Sequence, residues 1–386
     1  MFFMAFTSAF AFTSAVNLPI VFSIASCVSF LFCQVYLGDR KKLVDSFFLV
    51  FLMLVTISFC VSLFSSFNIS ARLNYYVSII VVVFLFYYLP LLFMLNGGMD
   101  RGRWWLFFGF VFVCVWIFVE FIGRNFIGFD IDLYIPRKYL SDYASTALVD
   151  YFRARGPVEE SGHMALYLIV VFFIVYSEIK KVSPVLTCIL FFLGSVSLIF
   201  TFSVAAFIEL PVAILLACMF FNAREVTVYL CRNPVKILML SIVFCLTVWG
   251  AYDFLYELLY SKINGSSSIN DRFGRFYETI HFIANSGFLN FLIGFGPGSA
   301  REFNFDLVLS SYVLILADYG FLGLILFVSI FIYSFFELYK IIDKTKQLLL
   351  AVAFFSLVLH FFVIPNYWYP WPWFLLAYIR YTRVNV

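Results

Sequence analysis

The chain has 386 residues, of which 64% are hydrophobic, 22% aromatic and only 12% charged. A soluble globular domain is about half apolar and about a quarter charged, so this composition excludes one and places the chain in lipid. A formal charge of +3, with no basic run longer than Arg40-Lys41-Lys42, excludes a nucleic-acid partner. A helix needs about twenty apolar residues to cross about 30 Å of hydrocarbon. That rule predicts spans at 15–37, 44–64, 75–95, 104–122 and 163–176. Others follow at 184–202, 203–221, 235–256, 311–338, 348–364 and, short, 367–378. The fold class is therefore an all-α polytopic membrane protein, one integral domain over 1–386. It has about eleven helices, and twelve if 1–14 inserts too. Residues 1–12 are apolar but lack the positive leader of a signal peptide.

Short-loop Lys and Arg set the orientation. Arg40, Lys41 and Lys42, Arg101 and Arg103, Lys180 and Lys181, Arg224, Arg232 and Lys236, Lys340, Lys344 and Lys346, and Arg380 and Arg383 all fall on one side. That side is read as cytoplasmic. The other side has short links and two long loops, 123–162 and 257–310, and loops of that length in a compact protein tend to carry function. Trp368, Tyr369, Trp371 and Trp373 read as interfacial anchors. The cysteines avoid both long loops: seven lie in apolar runs and Cys231 in a cytoplasmic link, which predicts buried free thiols rather than disulfides. His163, His281 and His360 have no ligand spacing, so no metal site is expected.

In the first long loop, charge gathers just before a helix: Arg153-Ala154-Arg155-Gly156-Pro157-Val158-Glu159-Glu160-Ser161-Gly162-His163. Ser161 is a suitable N-cap, and a helix N-terminus attracts anions through its free N–H groups. Arg153 and Arg155 add planar forks suited to phosphate oxygens. Glu160 and His163, three apart, would share a face. The plainer reading has two Arg and two Glu neutralising each other in a solvated loop. Glu209 and Asp318 sit deep in their spans, and intramembrane carboxylates demand water or a partner. Glu120, Asp253 and Glu257 lie nearer the outer ends, and His360 reads as a packed residue or one bonding a carbonyl. The second loop opens with Asn264-Gly265-Ser266-Ser267-Ser268, then Asp271-Arg272-Phe273-Gly274-Arg275 and a helical segment over 276–285. It ends in Gly294-Phe295-Gly296-Pro297-Gly298. That turn lacks the Lys-Ser/Thr of a P-loop and the strand–helix context of a dinucleotide site.

The ordered pattern resembles the bacterial O-antigen polymerase and ligase family. Arg153 and Gly156 match its Arg-x-x-Gly element, and Glu160, His163 and Ala165 match Glu-x-x-His-x-Ala at the start of a span, with Ser161 where the family often has Pro. Arg275 (or Arg272) precedes Gly294, Gly296 and Gly298 by about twenty residues, followed by Ser310-Ser311 and by Gly320 with Gly323. The resemblance covers about 151–334, roughly half the chain. It implies a GT-C-like enzyme of the bacterial inner membrane whose active face is periplasmic. Its substrate would be undecaprenyl-pyrophosphate-linked oligosaccharide, and its expected partners a repeat-unit flippase and a chain-length regulator. Arg153, Arg155, Arg272 and Arg275 would bind the pyrophosphate, without metal or other cofactor. Glu160 or His163, Glu160 being the first choice, would be the base. Ser310 stands where the family's ligases carry His, which favours polymerase over ligase. A transporter would also suit charges such as Glu209, but no internal repeat accompanies them.

Overall fold

The computed structural model describes residues 1–10, 17–32, 46–63, 69–135, 147–148, 151–180, 182–221, 267–299, 310–365 and 367–384. The helices are α1 (Leu18–Phe32), α2 (Ser46–Ser62), α3 (Ile69–Val83), α4 (Leu89–Phe93), α5 (Met99–Ile122), α6 (Ser161–Ile179) and α7 (Pro184–Phe200). They continue as α8 (Val204–Phe221), α9 (Ser267–Ala284), α10 (Phe288–Ile293), α11 (Ser311–Tyr339), α12 (Lys344–His360) and α13 (Pro370–Val384). The one described sheet is a two-stranded antiparallel pair, β1 (Ala147–Leu148) and β2 (Tyr151–Phe152). A helix stands in every predicted span except 235–256, which lies outside the described residues.

Four helical stretches are long and apolar enough to cross a membrane: Ile69–Ile127, Ser161–Ile179, Val204–Phe221 and Ser311–Tyr339. The 19 residues of α6 extend about 28 Å at about 1.5 Å each, close to the hydrocarbon thickness of about 30 Å. The first stretch is not one rod. Gly97 at φ 78° leaves the helical region and ends one helix before α5 begins. Outward faces carry Phe191, Phe192, Leu215, Met219 and Phe336, all exposed. Ser58, Ser197, Ser356 and Gln347 are instead turned inward. Large apolar groups outside and small polar ones inside fit lipid as the surrounding solvent. The chain is an all-α membrane protein.

Side-chain contacts sort the helix ends into two groups. At one end, Tyr339 at the close of α11 donates to the Phe220 carbonyl at the close of α8, 2.9 Å away. There Lys346 of α12 pairs with Glu178 of α6 at 2.6 Å. Glu337, with its side chain 2% exposed, meets Lys340 at 2.8 Å, Arg380 at 2.7 Å and Arg383 at 3.1 Å. The opposite end gathers the close of α2, α5, α7 and α12 with the start of α3, α6, α8 and α11. Both polar loop motifs meet the bundle at that end.

Two expectations change, and one open point is partly filled in. Helix α6 begins at Ser161 with Glu160 as its N-cap, one residue before the predicted cap. Of the four expected interfacial anchors, Tyr369, Trp371 and Trp373 are buried in the bundle, where they pack against α6 and α2 side chains, and Trp368 is half-buried. Residues 1–10 form a single 3-10 turn (Phe2–Ala5) and a short extended piece, not a span; Ser8 and Ala9 donate to the Pro157 carbonyl at 3.2 and 3.0 Å. Cys27, Cys60, Cys114, Cys188 and Cys218 are free thiols, Cys60 and Cys188 facing outward.

Candidate functional site

The first loop is held down by a buried carboxylate. Glu120, fully buried near the close of α5, accepts from the amides of Gly156 at 2.7 Å and Arg155 at 3.3 Å. A carboxylate receiving backbone donors in this way is a strong, oriented anchor. Gly156 sits at φ 59°, and a Cβ there would strike Met164, so the turn requires glycine. Arg124 stands 4.0 Å from Glu120 and grips Asp130 through two bonds of 2.9 Å. The far side of the loop is tied to the close of α7. Ala154 donates to the Phe200 carbonyl at 3.0 Å, and Arg153 Nε to the Thr201 carbonyl at 3.3 Å. Arg153 remains half-buried. Arg155 is 3% exposed and spans to the Glu159 carbonyl at 3.4 Å. The two arginines thus differ: one lies at the loop's surface and the other inside it.

A hydrogen-bonded chain follows at the first turn of α6. Tyr369 donates to the Glu159 carboxylate, and its oxygen lies 2.8 Å from His163 Nδ1. The phenol has one hydrogen, which goes to Glu159, so the bond to His163 runs from Nδ1–H to the phenol oxygen. The neutral ring therefore carries its lone pair on Nε2, the nitrogen a base uses. Glu160, the first-choice base, points outward instead, because the N-cap position turns its side chain away from the face that buries His163. The carboxylate coupled to the imidazole is its neighbour Glu159.

A second imidazole lies one residue away. His360, at the close of α12, pairs through Nδ1 with Glu209 of α8, and its Nε2 is 3.2 Å from the Gly162 carbonyl. A carbonyl only accepts, so Nε2 bears a hydrogen, and a single further proton is shared between Nδ1 and Glu209. The pair is net neutral wherever that proton sits, which removes the cost of a lone charge at this depth. Glu209 is thus partnered across helices, and His360 bonds a carbonyl as expected and a carboxylate besides.

The glycine-rich turn docks onto a break in α11. Gly320 at φ 67°, ψ −169° interrupts that helix and leaves the Ala317 and Asp318 carbonyls without their helical amides. The turn supplies replacements: Phe295 donates to Ala317 and Gly296 to Asp318, each at 3.0 Å, and Ser58 adds a hydroxyl at 3.0 Å. Gly294 and Gly320 face each other so closely that a Cβ on either would strike the other's backbone. Gly296 abuts Ser62 and Arg72, whose guanidinium donates to the Phe295 carbonyl; Gly298 abuts Tyr75. Asp318 Oδ1 accepts from Ser299 at 2.9 Å. These glycines join the second loop to the bundle. Ser310, 2% exposed, donates to Phe361 at 3.3 Å, and Ser311 to Ile364 at 2.6 Å, fixing the link that carries Tyr369.

No family model matches the chain, and no curated protein or solved structure matches it.

The structure gathers Arg153, Arg155, Gly156 and His163 with Glu159 and Tyr369 around the start of α6, Arg153 and Glu159 half-buried and the others buried, and sets Glu209–His360 against Gly162 of the same turn. Arg272 and Arg275 lie on α9, their side chains outside the described ones. Among the described residues no cluster of His, Cys, Asp or Glu is arranged to hold a metal ion. Sequence reasoning missed Glu159, Tyr369 and the role of Arg72. The available signal for Tyr369 was Pro365, Pro370 and Pro372 around an aromatic run: prolines are tolerated in a helix's first turn but not in its interior, which puts the helix start near Pro370 and Tyr369 just before it.

Proposed function

We propose that the chain is an O-antigen (surface polysaccharide) polymerase. It would have eleven spans in a GT-C-like arrangement, lie in the bacterial inner membrane and act at the periplasmic face. The observation that carries the reading is the chain Glu159–Tyr369–His163 beside the Arg153 loop, at the end of the bundle that also receives the glycine-rich turn. A base oriented by a carboxylate through a hydroxyl, next to a guanidinium, suits transfer from a diphosphate leaving group.

In the proposed reaction an acceptor hydroxyl on one lipid-linked repeat attacks the anomeric carbon of the growing glycan. His163 Nε2 takes the hydroxyl proton, the new C–O bond forms, and the bond to the lipid diphosphate breaks. Charge building on the departing diphosphate is met by Arg153, with Arg272 and Arg275 contributing from α9. A guanidinium holds such charge through two parallel bonds and needs no metal ion. Arg155 holds the Glu159 carbonyl, so its role is to keep the carboxylate end of the relay in place.

A strain deleted for the gene tests the reading. It is expected to cap its lipid A core with a single repeat unit and to lose the long ladder on a gel. Loss of the single unit as well, with polymer collecting on the lipid carrier, would assign the chain to the ligases. An unchanged ladder would refute both. Ser310 favours the first outcome, since it is buried and committed to the Phe361 carbonyl, where the resembling ligases carry a histidine.

A further inference from the structure

A groove of about 530 Å³ lies between α9, α10 and the glycine-rich turn, within the size range of small-molecule sites. One wall is a single face of α9 and the residue that follows it: Tyr277, His281 and Asn285 recur every fourth residue. Tyr277 is 69% exposed and lies nearly parallel to His281, ring centres 6.0 Å apart. The Asn285 amide reaches the same imidazole at 3.0 Å, which orients both side chains. The opposite wall is Asn290 and Phe295, the latter 5.3 Å from the Phe282 ring.

The chemistry of this lining selects its ligand. The lining carries the Glu278 carboxylate, which opposes a phosphate or an acidic sugar. The Asn285 and Asn290 amides make the lining partly polar, so it opposes an acyl chain. Aromatic faces beside amides and hydroxyls match a sugar ring, which is apolar across its C–H face and polar around its rim. Position agrees: the groove adjoins the glycine-rich turn, at the end of the bundle where the Arg153 loop also lies. We propose that this groove binds the neutral sugar residues of the lipid-linked substrate. The inference rests on the polymerase reading for the identity of that substrate.

Binding to the full-length protein in nanodiscs, with two lipids, tests it. One is the repeat-unit glycolipid that accumulates in the deletion strain; the other is the same polyprenyl diphosphate without sugar. The wild type is expected to bind the glycolipid more tightly. Tyr277→Ala and Asn285→Ala should each weaken glycolipid binding about tenfold, the scale of one lost stacked or hydrogen-bonded contact. Neither should change binding of the sugar-free lipid, and Tyr277→Phe should retain most glycolipid affinity. Tyr277 on α9 and Asn285 just after it are both exposed, so their loss leaves the bundle intact. Equal wild-type affinity for the two lipids, or variants that weaken both alike, would overturn the sugar site while leaving a diphosphate site standing. If the wild type bound neither lipid, the polymerase reading itself would fall, and the groove's assignment with it.

Discussion

Tyr369 has one hydrogen to give and gives it to Glu159, which fixes the tautomer of His163. Removing the hydroxyl breaks this relay without removing the ring that packs 4.5 Å from Trp371. Tyr369→Phe is therefore expected to lower kcat at least tenfold, with KM and membrane protein level little changed, against about 10²–10⁴-fold for His163→Ala. Glu159→Gln should resemble Tyr369→Phe, whereas Glu160→Gln should retain most activity. A Glu160 variant as damaged as the Glu159 variant would return the base to the exposed carboxylate. The arginines separate in the same way. Arg153→Ala should cost about 10²-fold or more in kcat and be partly rescued by Lys, which restores charge but not the fork. Arg155→Ala should instead lower protein level, because its guanidinium is buried beneath the loop. His163 and Arg153 were legible in sequence because their motif lies within eleven consecutive residues. Tyr369 was not, being 206 residues from its imidazole. The prolines around it mark where a helix begins, but among 24 tyrosines nothing in the sequence pairs this one with His163.

The elements were mostly legible, since apolar runs of span length have few alternatives to helix in lipid. What periodicity did not reveal is how the two loops are fixed to them. Gly320 and the glycine-rich turn form one joint: the helix break frees two carbonyls and the turn satisfies them. A Cβ at Gly320 would require backbone angles open essentially to glycine, at about 1–3 kcal/mol, and would also strike Leu292 and Gly294. Gly320→Ala is thus expected to lower the midpoint of thermal unfolding in detergent markedly, while Gly287→Ala, where a Cβ meets nothing, should not. The Glu209–His360 tie yields a sharper contrast. Glu209→Ala strands a buried imidazole and should cost about 3–5 kcal/mol, as broken buried pairs do. Glu209→Gln can still donate to Nδ1 and should cost about 1 kcal/mol or less. Equal stability of the two variants would show that the pair does not tie α8 to α12. Glu209 stood out in sequence as an intramembrane carboxylate, but its partner did not, because helix pairing is a property of the packed bundle.

Across the whole molecule, the two ends differ in chemistry as well as in sequence. One gathers Lys340, Lys346, Arg380 and Arg383 around Glu178 and Glu337; the other gathers the loop motifs, His163, His360 and Tyr369. The Lys/Arg bias predicts that reporter fusions at Arg101 and Lys344 face the cytoplasm and one at Ser267 the opposite side. A fusion at Ser267 reporting cytoplasm would place the loops away from a lipid-linked substrate displayed outside. The most direct measurement is reconstitution. Purified protein in liposomes, given only lipid-linked single repeat units in the presence of EDTA, is expected to produce a ladder of longer glycans and to release one lipid diphosphate per linkage. The Arg153→Ala protein should produce neither. Substrate that remains single repeats with the wild-type protein, or a ladder that forms equally well with Arg153→Ala, would contradict the account.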